Sequence, residues 1–316
     1  MTAYVGIQGQ NILIVSSDPA NPTEGQIWYN STTNLLKGYA NVVTNAWASG
    51  GTMNTARYIL AGAGTQTAAL AFGGYTPVTG ATESYNGSAW TTVNPLSTAR
   101  RGLAGAGTQT AALAFGGTPS PTVTESWNGT SWTSGGALGT GRYDLAGAGI
   151  QTAALAIGGY PTTAATESYN GTTWTATGSL GTARYGLAAA GIQTATIAFG
   201  GYTPTIVASS ESFNGSTWTS TPSLNTARAT QLGSAGTQTS AIAFGGFAPP
   251  NSGATESWNG SSWSNLPSMS TARRQLGGAG TSNSSALAFG GFSGAPSSAT
   301  ESWTGTALAT RTITVS

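Results

Sequence analysis

Ten lysines and arginines and nine aspartates and glutamates are the only charged side chains in this 316-residue chain, which has no histidine and no cysteine. That removes the imidazole base, the thiolate nucleophile and the usual ligands of zinc and copper. Twelve of the charges fall into one pattern. Arg57, Arg100, Arg142, Arg184, Arg228 and Arg273 recur at steps of 42 to 45 residues, and Glu83, Glu125, Glu167, Glu211, Glu256 and Glu301 follow them, one to a unit. A carboxylate pair for glycoside hydrolysis would have to be drawn from glutamates whose repetition already assigns them to structure. The seven remaining charges, Asp18, Glu24, Lys37, Arg101, Asp144, Arg274 and Arg311, include only three acids. No catalytic residue, metal site or cofactor is expected, and the chain reads as a non-enzyme.

The elements that must position these groups repeat with them. Each unit carries a glycine doublet, from Gly73-Gly74 to Gly290-Gly291, before its glutamate. The first five units continue with Asn-Gly and a tryptophan (Trp90, Trp132, Trp174, Trp218, Trp263) that stands ten residues before the next arginine. Trp47 is likewise ten residues before Arg57, so the N-terminal segment enters the same register. Runs such as "RYILAGAG" and "QTAALAFGG" suit strands buried on both faces, and "ATESY", Asn-Gly, "SAWTTV" suits a hairpin. Four strands in 40 to 50 residues are the signature of propeller blades, with Ala and Gly where strands crowd the axis and Tyr and Trp farther out.

The fold expected is all-β, a single β-propeller over residues 1–316 with seven blades: six regular repeats over 52–316 and one divergent blade over 1–51. The alternating segment 310–316 would close the ring on the N-terminal blade. A six-bladed ring with an N-terminal arm is the alternative.

Arginine, a strand ending in Gly-Gly, a Glu-Ser-Tyr strand and "WSNLPSMSTAR" (Trp263 to Arg273) together resemble the kelch repeat, over roughly residues 52 to 306. The resemblance implies a propeller. Thr304, Leu308 and Ser210 depart from the pattern, standing where the other units have Asn, Trp and Thr. The stretch "NPTEGQIWYNSTTNLLKGY" (Asn21 to Tyr39) resembles a segment found in structural and tail-associated proteins of tailed bacteriophages. With the Gly/Ala/Thr-rich repeats, the whole is similar to virion proteins of marine phages.

A two-residue Asn-Gly loop would set Glu83 opposite Trp90 and put glutamate, tyrosine and tryptophan on one blade face. The six arginines and six glutamates are then expected to form ion pairs within or between blades, with guanidinium groups stacked on indoles. The "AGAGTQ" runs lack the Lys-Ser/Thr of a phosphate loop and read as crowded axial strands. Asn-Gly-Ser/Thr copies match a glycosylation pattern, but Asn-Gly is also what a hairpin needs.

The connection from the second glycine to the glutamate varies between eight and ten residues, which is how a fixed frame presents a binding face. Tyr75, Tyr160, Tyr202, Phe247 and Phe292 each follow a glycine doublet there. Two readings stand: a ring of aromatics that binds a glycan or docks on a neighbouring protein, or side chains that pack on their own blades. The formal net charge of +1 gives no footprint for nucleic acid. The N-terminus lacks the pattern of a secretory signal, and no run of 18 apolar residues predicts a membrane span. The function expected is that of a structural or interaction protein of a phage particle, on tail or capsid surface, binding other virion proteins or a host surface glycan. The alternative is a stand-alone, extracellular lectin-like propeller; the oligomeric state stays open.

Overall fold

The structure, a computed structural model, describes residues 12–42, 45–305 and 307–313, and every regular element among them is a β-strand. The strands make seven four-stranded sheets, the number the period predicts. They divide between two compact units, residues 45–304 and residues 1–44 with 305–316. Residues 1–11 and 314–316, which the sequence assigns to the N-terminal blade and the closing strand, lie outside the described residues, as does the side chain of Arg311.

In the larger unit six sheets share one design. The first runs from an inner strand, Ala61–Gly64, through Ala69–Phe72 and Thr82–Tyr85 to an outer strand, Trp90–Val93, with antiparallel pairing throughout. Each inner strand packs on the next, and that of the sixth sheet, Gly277–Ser282, packs on that of the first, so six blades close the ring. Glycine is needed on these inner strands because they nearly touch. A Cβ on Gly62 would lie 2.4 Å from Phe289 and 2.8 Å from the carbonyl of Gly278.

The sixth blade takes its outer strand from the opposite end of the chain. Ala46–Ser49 pairs antiparallel with Thr300–Thr304, and Trp47 sits opposite Trp303. Trp47 thus fills the place that Leu308 leaves in the sixth repeat, which explains its ten-residue register with Arg57. The C-terminal strand, Ala307–Thr312, pairs with Leu35–Val42, and the sixth blade is completed by Ala46–Ser49.

The smaller unit is a sheet ordered Leu13–Val15, Ile27–Asn30, Leu35–Val42, Ala307–Thr312, with its first pair parallel. Trp28 is fully buried in it. Asp18 accepts hydrogen bonds from Lys37 Nζ (2.7 Å), Asn30 Nδ2 (2.7 Å) and Trp28 Nε1 (3.1 Å). Those donors, Lys37 foremost, hold its carboxyl down at about 2.

Three contacts join neighbouring blades. The first is apolar: the outer-strand indole of one blade packs on the second-strand phenylalanine of the blade before it, as in Trp132 on Phe72 (5.0 Å), Trp174 on Phe115 (4.8 Å) and Trp90 on Phe289 (5.1 Å). The expected guanidinium stack on these indoles is replaced by this ring pairing. Each such indole Nε1 also donates to a threonine of the preceding blade, for instance Trp132 to Thr82 (3.2 Å) and Trp174 to Thr124 (2.9 Å). The interface of the fourth and fifth blades is the exception. Serine stands at 210, and both Trp263 Nε1 and Ser210 Oγ are buried without a partner. Threonine's branched Cβ restricts its hydroxyl to few rotamers, whereas serine's can turn away from the indole.

The second contact uses the glutamines at the tips of the inner hairpins. Gln109 Nε2 donates to the carbonyl of Tyr85 and Gln151 Nε2 to that of Trp127, so each inner hairpin ties back to the preceding blade's third strand.

The third contact is ionic, and the six expected pairs all form: Arg57–Glu83, Arg100–Glu125 (2.9 Å), Arg142–Glu167 (2.9 Å), Arg184–Glu211 (3.0 Å), Arg228–Glu256 (2.8 Å) and Arg273–Glu301 (2.8 Å). Each pair lies within a blade, but it holds the connection from the blade before. Arg100 Nη1 donates to the carbonyls of Gly116 and Val123 in its own blade, while its carbonyl accepts from Gly74 of the preceding one. Glu125 accepts from the backbone N–H of Ser97 (2.7 Å) in the same connection. All six guanidinium groups are fully buried, and burial pulls their pKa values down against the opposing pull of the glutamates.

The hairpin register differs from expectation. Asn86–Ala89 is a four-residue loop in which Asn86 Oδ1 accepts from the N–H of Ser88 and Ala89, so Tyr85 faces Trp90 and Glu83 faces Thr92. The asparagine side chain takes over the turn. Because the shift is by two residues, glutamate, tyrosine and tryptophan still share a face.

Two outcomes follow for stability. Glu125→Ala strands a buried guanidinium and should cost about 3–5 kcal/mol in denaturant unfolding, with Arg100→Ala/Glu125→Ala costing less than the sum of the single variants. A loss below about 1 kcal/mol would remove the pair from its role in blade register. Ser210→Thr should restore the missing indole bond and raise stability by about 1 kcal/mol, read as an increase of roughly 2 °C in melting temperature.

Candidate functional site

The connections between second and third strands and those between blades emerge on the same face of the ring. There the residue after each skeleton arginine bridges to the residue after each glycine doublet: Tyr58 to Tyr75, Arg101 to Thr118, Tyr143 to Tyr160, Tyr185 to Tyr202, Ala229 to Phe247 and Arg274 to Phe292. The five aromatics singled out from sequence are therefore brought to one face, interleaved with a second set from the other connection. The ring contacts run from blade to blade. Tyr160 lies against Tyr143 (5.1 Å) in its own blade and Tyr185 (5.4 Å) in the next, and Tyr185 lies against Tyr202 (5.3 Å). On the other side Tyr58 meets Phe292 (5.2 Å) and Tyr75 (5.4 Å), Arg101 covers Tyr75 (4.7 Å), and Arg274 lies over both Phe247 (5.1 Å) and Phe292 (5.0 Å). Packing on the aromatic's own blade is thus observed, and Tyr160 still shows 42% of its surface to solvent.

One residue further along, the backbone closes a collar round the axis. Gly102 N donates to Ile59 O (3.1 Å), Asp144 N to Gly102 O (2.7 Å), Gly186 N to Asp144 O (2.7 Å), Gln231 N to Gly186 O (3.0 Å), Gln275 N to Thr230 O (3.1 Å) and Ile59 N to Gln275 O (2.9 Å). All these donors have positive φ, from 48° at Gln231 to 64° at Gly102. That conformation costs a non-glycine residue about 1–2 kcal/mol, most for branched Ile59, and the collar bonds offset it.

Three of the seven charges outside the skeleton lie here. Arg101, Asp144 and Arg274, scattered in the sequence, all lie on this face, beside or in the collar. The sequence reading counted them but gave them no place. Neither were Tyr58, Tyr143 and Tyr185 singled out, although they follow "TAR" or "TGR" as regularly as the others follow Gly-Gly. Asp144 Oδ1 accepts from Gln231 Nε2 (3.0 Å), reaching across Gly186. Burial pushes its carboxyl up to about 6, with Arg101 opposing. A cavity of about 200 Å3 adjoins it, lined by Ile59, Arg101, Gly102, Thr118, Tyr143 and Asp144.

What fold and face define is a β-propeller repeat protein with an aromatic and charged axial end. The chain matches no protein-family model, and no curated protein is similar to it.

Because the native state holds the Asp144 proton more tightly than an unfolded chain does, the carboxyl helps folding below about pH 4 and the help is lost as pH rises to about 6. Asp144→Asn should therefore raise stability at pH 7.5 by about 1–2 kcal/mol, discounted for partial exposure, and leave it nearly unchanged at pH 4. Equal effects at both pH values would contradict this placement of the carboxyl.

Proposed function

We propose that the chain is a non-enzymatic structural or interaction protein of a tailed-phage particle, at its tail or capsid surface. The face that carries the belt of aromatics and arginines contacts another virion protein or a host surface glycan. The carrying observation is where the reactive groups go: each skeleton glutamate is engaged by a buried arginine, and the free charges of the ring gather with the aromatics on one face. Rings that stack on one another, with guanidinium groups laid over them, make a stiff, amphipathic surface of the kind used for recognition. The kelch-like landmarks support the propeller half of this reading. The phage-like segment supports the other half; it supplies the middle strands of the smaller unit's sheet, so that one unit is available for assembly while the other makes the contact. No nucleic-acid, membrane or cofactor role is part of the proposal.

The partly exposed Tyr160 and the acceptor groups at the collar favour a second reading, an extracellular lectin-like propeller that acts alone. Mass spectrometry of gradient-purified phage particles from infected cultures separates the two. A virion protein is expected at fixed stoichiometry beside the capsid and tail proteins; its absence from particles and recovery from the medium would favour the second reading.

A further inference from the structure

We propose that the axial end of the propeller around Asp144 is a binding site for a single uncharged saccharide ring, whose hydroxyls donate to Asp144 while its apolar face lies against Tyr143. The saccharide class rests on the reading of this face as a contact surface for glycans; the site itself rests on four observations.

The first is the break in symmetry. Ile59, Gly102, Asp144, Gly186 and Gln275 occupy equivalent collar positions, the fifth blade fills its place with the pair Thr230 and Gln231, and the collar bonds use only backbone groups. Glycine suffices at two of them, so closing the ring does not require a carboxylate that burial disfavours.

The second is how the carboxyl is held. Gln231, 9% exposed and outside the cavity lining, donates through Nε2 to Asp144 Oδ1 and so fixes the direction in which the carboxyl faces.

The third is built space. Gly102 leaves room for the carboxyl: a Cβ there would stand 2.7 Å from Asp144 Oδ1, so a larger residue would displace it. The cavity of about 200 Å3 beside it is the space open to a ligand.

The fourth is charge. Asp144 repels an anion, and Arg101 on the same cavity wall repels an ammonium group, which leaves a neutral polyol. Tyr143 supplies the aromatic wall that suits the C–H face of a pyranose.

The groups that face Asp144 are Arg101 of the second blade, Tyr143 beside it, Tyr185 of the fourth blade and the uncharged Gln231 of the fifth. Since only the ionised carboxylate accepts at both oxygens, binding should be full above pH 7 and weaken about tenfold between pH 7.5 and pH 5, as expected for a carboxyl near 6.

The test uses the full-length protein on an array of neutral and sialylated oligosaccharides, followed by calorimetric titration with galactose, glucose, mannose and N-acetylglucosamine. At least one neutral sugar should bind saturably, one per chain. Asp144→Asn, whose melting curve verifies its folding, should weaken binding at least tenfold. Gln231→Leu and Tyr143→Ala should each weaken it severalfold. Saturable binding to none of these sugars, binding kept within twofold in Asp144→Asn, or preference for sialylated glycans would each overturn the site. A protein found in particles that binds no neutral saccharide loses this site and keeps its virion role; one that binds as described but is absent from particles does the reverse.

Discussion

The buried arginine–glutamate pair is the contact on which the ring depends, and its worth lies in what it prevents. Desolvating a guanidinium and a carboxylate is costly, and five of the six arginines also leave Nε buried without an acceptor, so the pair is a poor source of net stability. What it supplies is a unique geometry. The fork reaches the glutamate and two carbonyls at once, the glutamate captures the backbone of the incoming connection, and the arginine's own carbonyl binds the previous blade. A connection seated one residue out of step would bury an unpaired charge. Because its base is locked, the loop above can change length and sequence without disturbing the blade beneath.

Closure is the second constraint. A row of wedge-shaped sheets leaves two apolar flanks, and a ring removes both only if the last blade meets the first. Lending Ala46–Ser49 to the sixth blade makes that junction a β-sheet, with Trp47 packed on Phe244 (5.1 Å) as the other indoles pack on their phenylalanines. The ends of the chain are thereby coupled to the cooperativity of the whole ring.

Much of this was legible in the sequence because repetition separates what the frame needs from what it tolerates. Four strands per unit, the ion pairs and the small residues at the axis all follow from the landmarks around Arg100 and Glu125. The hairpin register did not, since Asn86 acts through a side-chain oxygen that a turn rule for Asn-Gly does not weigh. Between seven blades and six with an N-terminal arm the sequence left a choice, because Trp47 carries the register of a repeat whether it begins a seventh blade or completes the sixth. The candidate site was half visible. Tyr160 stood out after its doublet, but Asp144 and Gln231 are separated by 87 residues, and only the folded collar makes them neighbours.

In a structure built six times over, departures from the pattern carry the information, and cost alone does not tell which of them are functional. Ser210 and Asp144 both lower stability by the same kind of physics, a buried polar group without its best partner. Ser210 sits inside a blade interface beside the unpartnered groups of Thr221 and Trp263 but with no cavity, and the structure gives no reason for it. Asp144 sits where a cavity, a guanidinium group and a tyrosine converge, with Gln231 holding its carboxyl from a further blade. A defect that is merely tolerated has no reason to collect complementary neighbours from four different blades; a site does.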